Sequence, residues 1–266
     1  NVAAPEVTAA ELGVALQAGH LTLHYQPKLT CKGLLLKGVE ALARWHDPVK
    51  GNVSPAQFIA VAERHGLIGP LTRYLLEIAL KQKQEWQRRG VVFNVAFNLS
   101  PLSLADPGLV DWVTQLTAHY GIPPGEITLE VTENALLGEL ASSIQTLARL
   151  RLKGFGIAID DYGSGFANAQ QLSRVPATEL EIDRALVHNV ATRPQQRTIL
   201  QNTVEMARQL KLVTVAEGVE HREDFDVLRE FRVELIQGYI LAKPMSAERL
   251  LEWVQKELAP LRRQLG

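Results

Sequence analysis

Cysteine is nearly missing from this chain. Cys31 stands alone among 266 residues, so no internal disulfide forms, and the usage reads as that of a reducing, cytoplasmic compartment. An excess of charge of either sign is missing too: 28 Lys and Arg face 29 Asp and Glu, for a net charge of −1. With no basic surplus and no Lys/Arg run, the electrostatic footprint of a duplex nucleic-acid binder is absent. No apolar run approaches the roughly 18 residues that would suggest a membrane span, and no secretory leader pattern is present. Aromatic residues make up only 6%, which offers no stacking platform for single strands. His20 and His24 are four apart but lie in a strand-like segment, and no Glu follows His20, so the helical zinc-protease pattern fails. No P-loop, dinucleotide fingerprint or nucleophile elbow occurs; Gly163-Ser164-Gly165 reads as a turn. The composition, 46% hydrophobic and 21% charged, is that of an ordinary globular protein. The start at Asn1 without Met reads as a piece of a longer protein.

What is present is rhythm. Thr8-Ala9-Ala10-Glu11 has the form of a capping box before a helix over Glu11 to Ala18. Leu21 to Tyr25 alternates as a strand that stops at Gln26-Pro27, and Leu34 to Trp45 is a second β-like run. The connection between them is shorter than the dozen or so residues of a parallel crossover, so an antiparallel pair is expected. Helices are expected from Pro55 to about His65 and from Pro70 to about Arg89. Strand three follows at Val91 to Leu99, a helix at Leu109 to His119 and strand four at Ile127 to Thr132. A helix at Leu140 to Leu152 precedes strand five, Gly156 to Asp160. A short helix near Asn168 to Ser173 leads to strand six, Glu179 to Asp183, and then an amphipathic helix, Gln195 to Leu210. Strand seven at Leu212 to Glu217, a helix at His221 to Phe231, strand eight at Val233 to Tyr239 and a helix at Ser246 to Leu258 complete the series. Eight strands alternating with helices predict a TIM-barrel-like (β/α)8 fold of the α/β class with its first strand antiparallel. No linker or internal repeat divides the chain, so residues 1–266 read as one unit, a helix over 8–18 and a barrel over 21–258. Trp45, Trp86, Trp112 and Trp253 read as packing residues.

Polar groups inside apolar strands carry the functional information. Glu40 sits in Val39-Glu40-Ala41-Leu42, Asn98 ends Val95-Ala96-Phe97, and Glu130 lies in Leu129-Glu130-Val131. Asp160 and Asp161 end strand five, and Glu217 and Gln237 close strands seven and eight. Adjacent acids on a strand point to opposite sides, but a turn at the strand end can swing the second back toward the first. Alternatively, the pair simply caps the next helix. A buried carboxylate is costly unless it is protonated, paired or metal-bound. Parallel strands would bring Glu40, Glu130, Asp160, Asp161, Glu217 and Asn98 to one mouth, with Arg44 the only basic residue among those strand ends. Any single acid could serve a barrel hydrogen bond or salt bridge. Six oxygen donors together, without Cys or His, suit Mg²⁺ or Mn²⁺, and two such ions clamp an in-line attack on a phosphoester.

The ordered motifs Tyr25-Gln26-Pro27, Glu40-Ala41-Leu42, Phe97-Asn98-Leu99-Ser100, Glu130-Val131-Thr132-Glu133, Asp160-Asp161-Tyr162-Gly163-Ser164-Gly165-Phe166, Ile182-Asp183-Arg184, Ala216-Glu217-Gly218-Val219-Glu220 and Gln237-Gly238-Tyr239 resemble those of the EAL domain family. The resemblance runs from Tyr25 to Met245. It implies a modified barrel that hydrolyses cyclic di-GMP to linear pGpG with Mg²⁺ or Mn²⁺, Ca²⁺ being inhibitory. It implies metal ligands at Glu40, Asn98, Glu130 and Asp160, with Asp161 at a second metal. Glu217 would bind or orient the attacking water, Arg44 would contact phosphate, and Gln26, Asp183 and Gln237 would help to place the nucleotide. Glu133 would tether the loop from Tyr162 to Phe166, which in the family links dimerisation to the metal site. A bacterial cytoplasmic homodimer with a regulatory or sensory module alongside is the setting it implies.

One position departs from the pattern. The family carries a catalytic lysine where this chain has Glu181, in Glu181-Ile182-Asp183. An anion replaces a cation beside a site already rich in carboxylates, and no nearby lysine offers an evident substitute. Two functional expectations therefore stand together: a metal-dependent phosphodiesterase, and a catalytically degenerate receptor that binds cyclic di-GMP and passes the signal on. A bare interaction scaffold would leave the acids unexplained.

Overall fold

The computed structural model describes residues 7–133, 140–164 and 169–266. Thr8 sets the chain entry: its Oγ1 accepts the Glu11 N–H at 3.3 Å, and Glu11 Oε2 accepts the Thr8 N–H at 2.9 Å. This is the expected capping box, and it opens α1 (Ala9–Ala18). β1 (Leu21–Thr30) and β2 (Leu36–Asp47) then pair antiparallel, with Gln26 opposite Glu40 and Lys28 opposite Gly38. β2 folds back onto a short β3 (Gly51–Val53), which the sequence pattern did not suggest. Two helices follow, α2 (Pro55–Arg64) and α3 (Ile68–Arg88). Pro55 sits in the first turn of α2, where its missing N–H has no helical partner to lose.

Strand and helix alternate from there. The strands are β4 (Asn94–Asn98), β5 (Ile127–Thr132), β6 (Gly156–Tyr162), β7 (Glu179–Ile182), β8 (Val213–Ala216) and β9 (Leu235–Ile236). The helices are α4 (Leu109–His119), α5 (Leu140–Leu152), α6 (Ala169–Leu172), α7 (Arg184–Val187), α8 (Pro194–Gln209), α9 (Arg222–Phe231), α10 (Ala247–Lys256) and α11 (Leu258–Leu265). The sheet runs β1-β9-β8-β7-β6-β5-β4-β2-β3, and the additional β1–β2 pairing closes it into a barrel from which β3 projects. β1 is antiparallel to both β2 and β9, whereas β2 and β4 to β9 run parallel. The eight-stranded barrel with an inverted first strand is therefore the observed fold.

The apolar core lies between the sheet and the helices. α8 shows how: Leu200, Thr203, Val204 and Ala207 are buried at spacings of three and four, one stripe of the helix. Trp86 stacks edge-on against Tyr25 with ring centroids 4.8 Å apart, and Trp45 meets Phe58 at 5.9 Å. Trp253 is buried, and Trp112 is partly buried beneath the Arg73 guanidinium at 4.6 Å. All four tryptophans pack, as expected. The barrel interior is different, because polar side chains occupy it. Ala96 and Ala158 lie one alternation below Asn98 and Asp160, and such short side chains leave room for longer polar ones.

Several strand ends differ from the sequence expectation, and two of them bear on the mouth of the barrel. β1 does not stop at Gln26-Pro27 but continues to Thr30. Proline is tolerated because β9 pairs with β1 only at Leu29 and Thr30, so Pro27 is laddered on the β2 side alone. β9 holds only two residues because the chain turns at Gly238, which packs directly on the Val219 backbone. A Cβ at Gly238 would stand 2.2 Å from the Val219 carbonyl oxygen. That close approach lets Val219 N–H donate to the Gln237 carbonyl at 3.1 Å, which fixes Gln237 beside the end of β8. Of the expected short helix near Asn168 to Ser173, α6 forms over Ala169–Leu172, while Asn168 lies outside the described residues.

Candidate functional site

The parallel strands deliver their acids to one mouth. Side chains alternate along each strand, so Glu40 on β2, Glu130 on β5 and Glu181 on β7 point into the barrel. Asn98 and Asp160 stand nearer the strand ends, and Glu217 and Gln237 follow immediately after β8 and β9. Asp161 is the residue whose orientation alternation alone does not give. Its φ is +57°, a left-handed conformation that Asp tolerates better than most residues. The β6–β7 register shifts between Ile159 and Tyr162, and Asp160 Oδ1 accepts the Asp161 N–H at 2.6 Å. The bulge turns the second acid back toward the first. Asp160, Asp161 and Glu217 each place an oxygen within 4.8 Å of the others.

Glu40 is held from two sides. Asn98 Nδ2 donates to its Oε1 at 2.8 Å, and Gln237 Nε2 donates to its Oε2 at 2.6 Å. Gln237 Nε2 also reaches Gln26 Oε1 at 3.2 Å, and Gln26 Nε2 donates to the Ala242 carbonyl at 3.1 Å. These amides orient the Glu40 carboxylate without neutralising it. Arg44 lies on the same β2 face by alternation and is partly buried; its guanidinium donates to the Ala43 carbonyl at 2.8 Å. Burial lowers its pKa, opposed by the negative charge of Glu40.

Deeper in the barrel stands a group that the sequence analysis missed. Lys28 Nζ lies 2.5 Å from Glu130 Oε1 and 2.5 Å from Glu181 Oε1, with all three side chains buried. Two expectations are thereby corrected: Arg44 is not the only cation near the strand ends, and a lysine does stand beside Glu181. The cause is the misplaced end of β1. With the strand ended at Pro27, Lys28 read as loop, whereas continued alternation from Gln26 puts it inside the barrel. Glu130 Oε2, Glu181 Oε2 and Gln237 Oε1 are buried without a hydrogen-bond partner, an uncommon condition that asks for a ligand or a proton.

Electrostatics give the same picture. Burial, followed by the charges of Glu181, Asp161 and Glu40, pushes the Asp160 carboxyl up to about 8. Burial, and then Glu181, raises Glu130 and Glu217 well above the carboxylate range. Asp161 is raised by burial and by Asp183, Glu181 and Glu133. Such mutually repelling acids, turned into one mouth, are the usual setting for a bound cation.

The remaining expected residues are placed as follows. Asp183 caps α7, accepting the Ala185 N–H at 2.8 Å, and lies near enough to Asp161 to raise its pKa. Glu133 is buried, and its Oε2 accepts the Gly163 N–H at 3.0 Å. Gly163 adopts φ +101° there with the Leu186 side chain against it, so a larger residue would be both strained and obstructed. Gly165 and Phe166 lie outside the described residues. A second group, His188, Glu220 and His221, has ligand atoms within 4.8 Å of one another, but Glu220 is paired with Arg184 at 3.1 Å.

The donor set fits a divalent metal: oxygens only, several of them acidic and mutually repelling, with Glu130 Oε2 orphaned. Among the described residues no helix is long and apolar enough to cross a membrane. The chain is 38% identical over 242 residues to the bifunctional diguanylate cyclase/cyclic di-GMP phosphodiesterase MucR of Pseudomonas aeruginosa, covering 91% of this chain and 35% of MucR. It is 33% identical over 238 residues to the cyclic di-GMP phosphodiesterase RocR of the same organism, covering 90% of this chain and 61% of RocR. This chain thus spans about a third of the length of one relative and under two thirds of the other. A solved structure described as the PaMucR phosphodiesterase in complex with c-di-GMP superposes with a TM-score of 0.86 at 38% identity, over 91% of this chain and 98% of that one. The EAL domain family matches residues 9–244; with the inverted strand and the acid-lined mouth in place, the chain belongs to that family.

Proposed function

We propose that this domain hydrolyses one phosphodiester bond of cyclic di-GMP to give linear pGpG at the C-terminal mouth of its barrel. The observation that carries the reading is the convergence of Asp160, Asp161 and Glu217 within 4.8 Å, beside a Glu40 carboxylate held by Asn98 and Gln237. The names of MucR and RocR point to the same substrate.

Mg²⁺ or Mn²⁺, with Ca²⁺ as an inhibitory substitute, would be held by Glu40, Asn98, Glu130, Asp160, Asp161 and Glu217. When bound, such ions activate water and stabilise charge on the phosphoryl oxygens. The chain's own groups divide the remaining work. Glu217 orients the water and receives its proton. Arg44 faces the phosphate, and burial strengthens the attraction by excluding water around the guanidinium. Gln26, Gln237 and Asp183 place the nucleotide, and Gln237 Oε1 remains available as an acceptor. Glu133 steadies the turn at Gly163, through which a homodimer contact would reach Asp161. The domain would work in the bacterial cytoplasm beside a sensory or regulatory module, consistent with its partial coverage of its relatives.

A second reading keeps one specific observation in its favour. Glu181 puts an additional anion in the cluster, which suits a receptor that binds cyclic di-GMP without turning it over. Incubation with cyclic di-GMP and Mn²⁺ or Mg²⁺, with pGpG followed by chromatography, separates the two. Turnover that disappears in Asp160→Asn supports the enzyme. Saturable binding with no pGpG establishes the receptor.

A further inference from the structure

The acids at the mouth carry more negative charge than their amide partners can offset, and the structure brings one lysine to them. Lys28 arrives from β1, the inverted strand, and crosses the barrel to carboxylates 102 and 153 residues away in sequence. Its ammonium lies at equal distance, 2.5 Å, from one oxygen of Glu130 and one of Glu181. The other buried lysine, Lys83, pairs with Glu126 and the Phe93 carbonyl and takes no part in this cluster. Each carboxylate bound by Lys28 keeps its second oxygen buried and without a partner. A salt bridge built only for stability would be expected to satisfy those oxygens as well. Here the bridge fixes one oxygen of Glu130 and leaves the other uncommitted.

We propose that Lys28 is a positioning residue: its ammonium serves as the resident cation of the acid cluster, neutralising Glu181 and holding Glu130 so that Glu130 Oε2 is free for a divalent ion. The proposal rests on the phosphodiesterase reading of the same mouth. Glu181 is then the counterion of a cation delivered from the opposite side of the barrel, and it is not an isolated anion facing the substrate. Installing a lysine at position 181 while Lys28 remains would crowd two cations around Glu130 and repel metal.

The test measures Mn²⁺ binding by titration calorimetry, together with kcat and KM for cyclic di-GMP. It compares the unmodified chain with Lys28→Met, Glu181→Lys, the double variant Lys28→Met/Glu181→Lys, and Glu181→Gln. All are assayed below the onset of melting seen by circular dichroism. One charge at this range from a divalent ion changes binding at least about tenfold. Lys28→Met should bind Mn²⁺ at least about tenfold more tightly, or take up an extra ion, while kcat falls about a hundredfold and KM stays within about threefold. Glu181→Lys should bind Mn²⁺ at least about tenfold more weakly. The double variant should recover kcat relative to Lys28→Met, because one cation again lies against Glu130. Unchanged Mn²⁺ affinity in Lys28→Met or Glu181→Lys overturns the proposal, as does a double variant no faster than Lys28→Met. If Lys28→Met does not fold, Glu181→Gln decides: weaker Mn²⁺ binding supports the proposal and unchanged binding overturns it. If even the unmodified chain releases no pGpG, the phosphodiesterase reading fails, while the order of Mn²⁺ affinities still decides the role of Lys28.

Discussion

At the C-terminal mouth of the barrel, Asp160, Asp161 and Glu217 place oxygens within 4.8 Å of one another, and the charge of Glu40 helps to raise Asp160 and Glu217. The N-terminal mouth opens instead into a cavity of about 890 Å³, rimmed by Lys32, Lys37, Arg229 and Arg232 with Glu179 and Glu234. Their sequence origins are as different as their charge. Parallel strands carry their C-terminal acids upward, while the inverted β1 carries Cys31 and Lys32 down to the opposite end. The lower mouth is a sizeable cavity, yet its rim cations are exposed, and burial pushes the Cys31 thiol up to about 12, where it is inert. Volume is therefore a poor guide to chemistry here. Convergent acids that raise one another's pKa are the better one. Lys28 lines the lower cavity and bonds the acids above it, so it stands between the two environments.

The sharpest way to break this contrast is to remove one upper acid. Asp160→Asn should lower phosphodiester turnover by about a thousandfold, since the loss of a proposed metal ligand withdraws several kcal/mol of transition-state stabilisation. The matching change below, Lys37→Glu, should alter turnover by less than about twofold and stability by no more than about 0.5 kcal/mol. Equal losses from both would show that the two mouths are not functionally distinct.

A Glu40→Ala chain loses a proposed metal ligand and takes one acceptor from each of the Asn98 and Gln237 amides, Gln237 keeping Gln26. Beyond the loss of turnover, urea unfolding should register about 1–3 kcal/mol of lost stability from the buried Gln237 N–H that Glu40 no longer accepts. Gly238→Ala tests the backbone contact that positions Gln237. Its Cβ has no room beside Val219, so a destabilisation of about 1–3 kcal/mol with weakened nucleotide binding is expected. Unchanged binding would remove Gln237 from the site.

The smallest expected effect is on pH dependence. Burial and the neighbouring acids push Asp160 up to about 8 in the fold, against 3.8 for the free side chain. The folded state therefore keeps a proton that the unfolded chain releases. Its contribution is fully present below pH 4 and is lost as the pH rises through 8. Metal-free protein should thus melt lower at pH 8 than at pH 5, an effect visible by scanning calorimetry, and Mn²⁺ should reverse the trend by replacing the proton. A melting temperature that rises steadily over this range without metal would contradict the buried, mutually repelling cluster.

Much of the molecule was legible in the chain itself, because the relevant forces are local. The Thr8–Glu11 capping box, the apolar stripe of α8 and the short β1–β2 connection each follow from spacing over a few residues. The acids at the strand ends stood out because polar groups inside apolar runs are costly unless they are used. Pro27 shows where local reading stopped. It looks like the end of a strand, and only the absence of β9 beside it explains why β1 continues to Thr30. Asp161 is similar, since its direction depends on a register shift between β6 and β7.

The sequence by itself determined the alternation of the barrel strands and their helices, the inversion of β1 and the identity of the acids near the strand ends. Only the closed barrel decided which charges meet. Periodicity assigns a side chain to a face, but it contains no information about the strand opposite. Lys28 finds Glu181 across 153 residues of chain because burial inside the barrel leaves an ammonium no water to bind, and the nearest acceptors there are two carboxylates with the same problem.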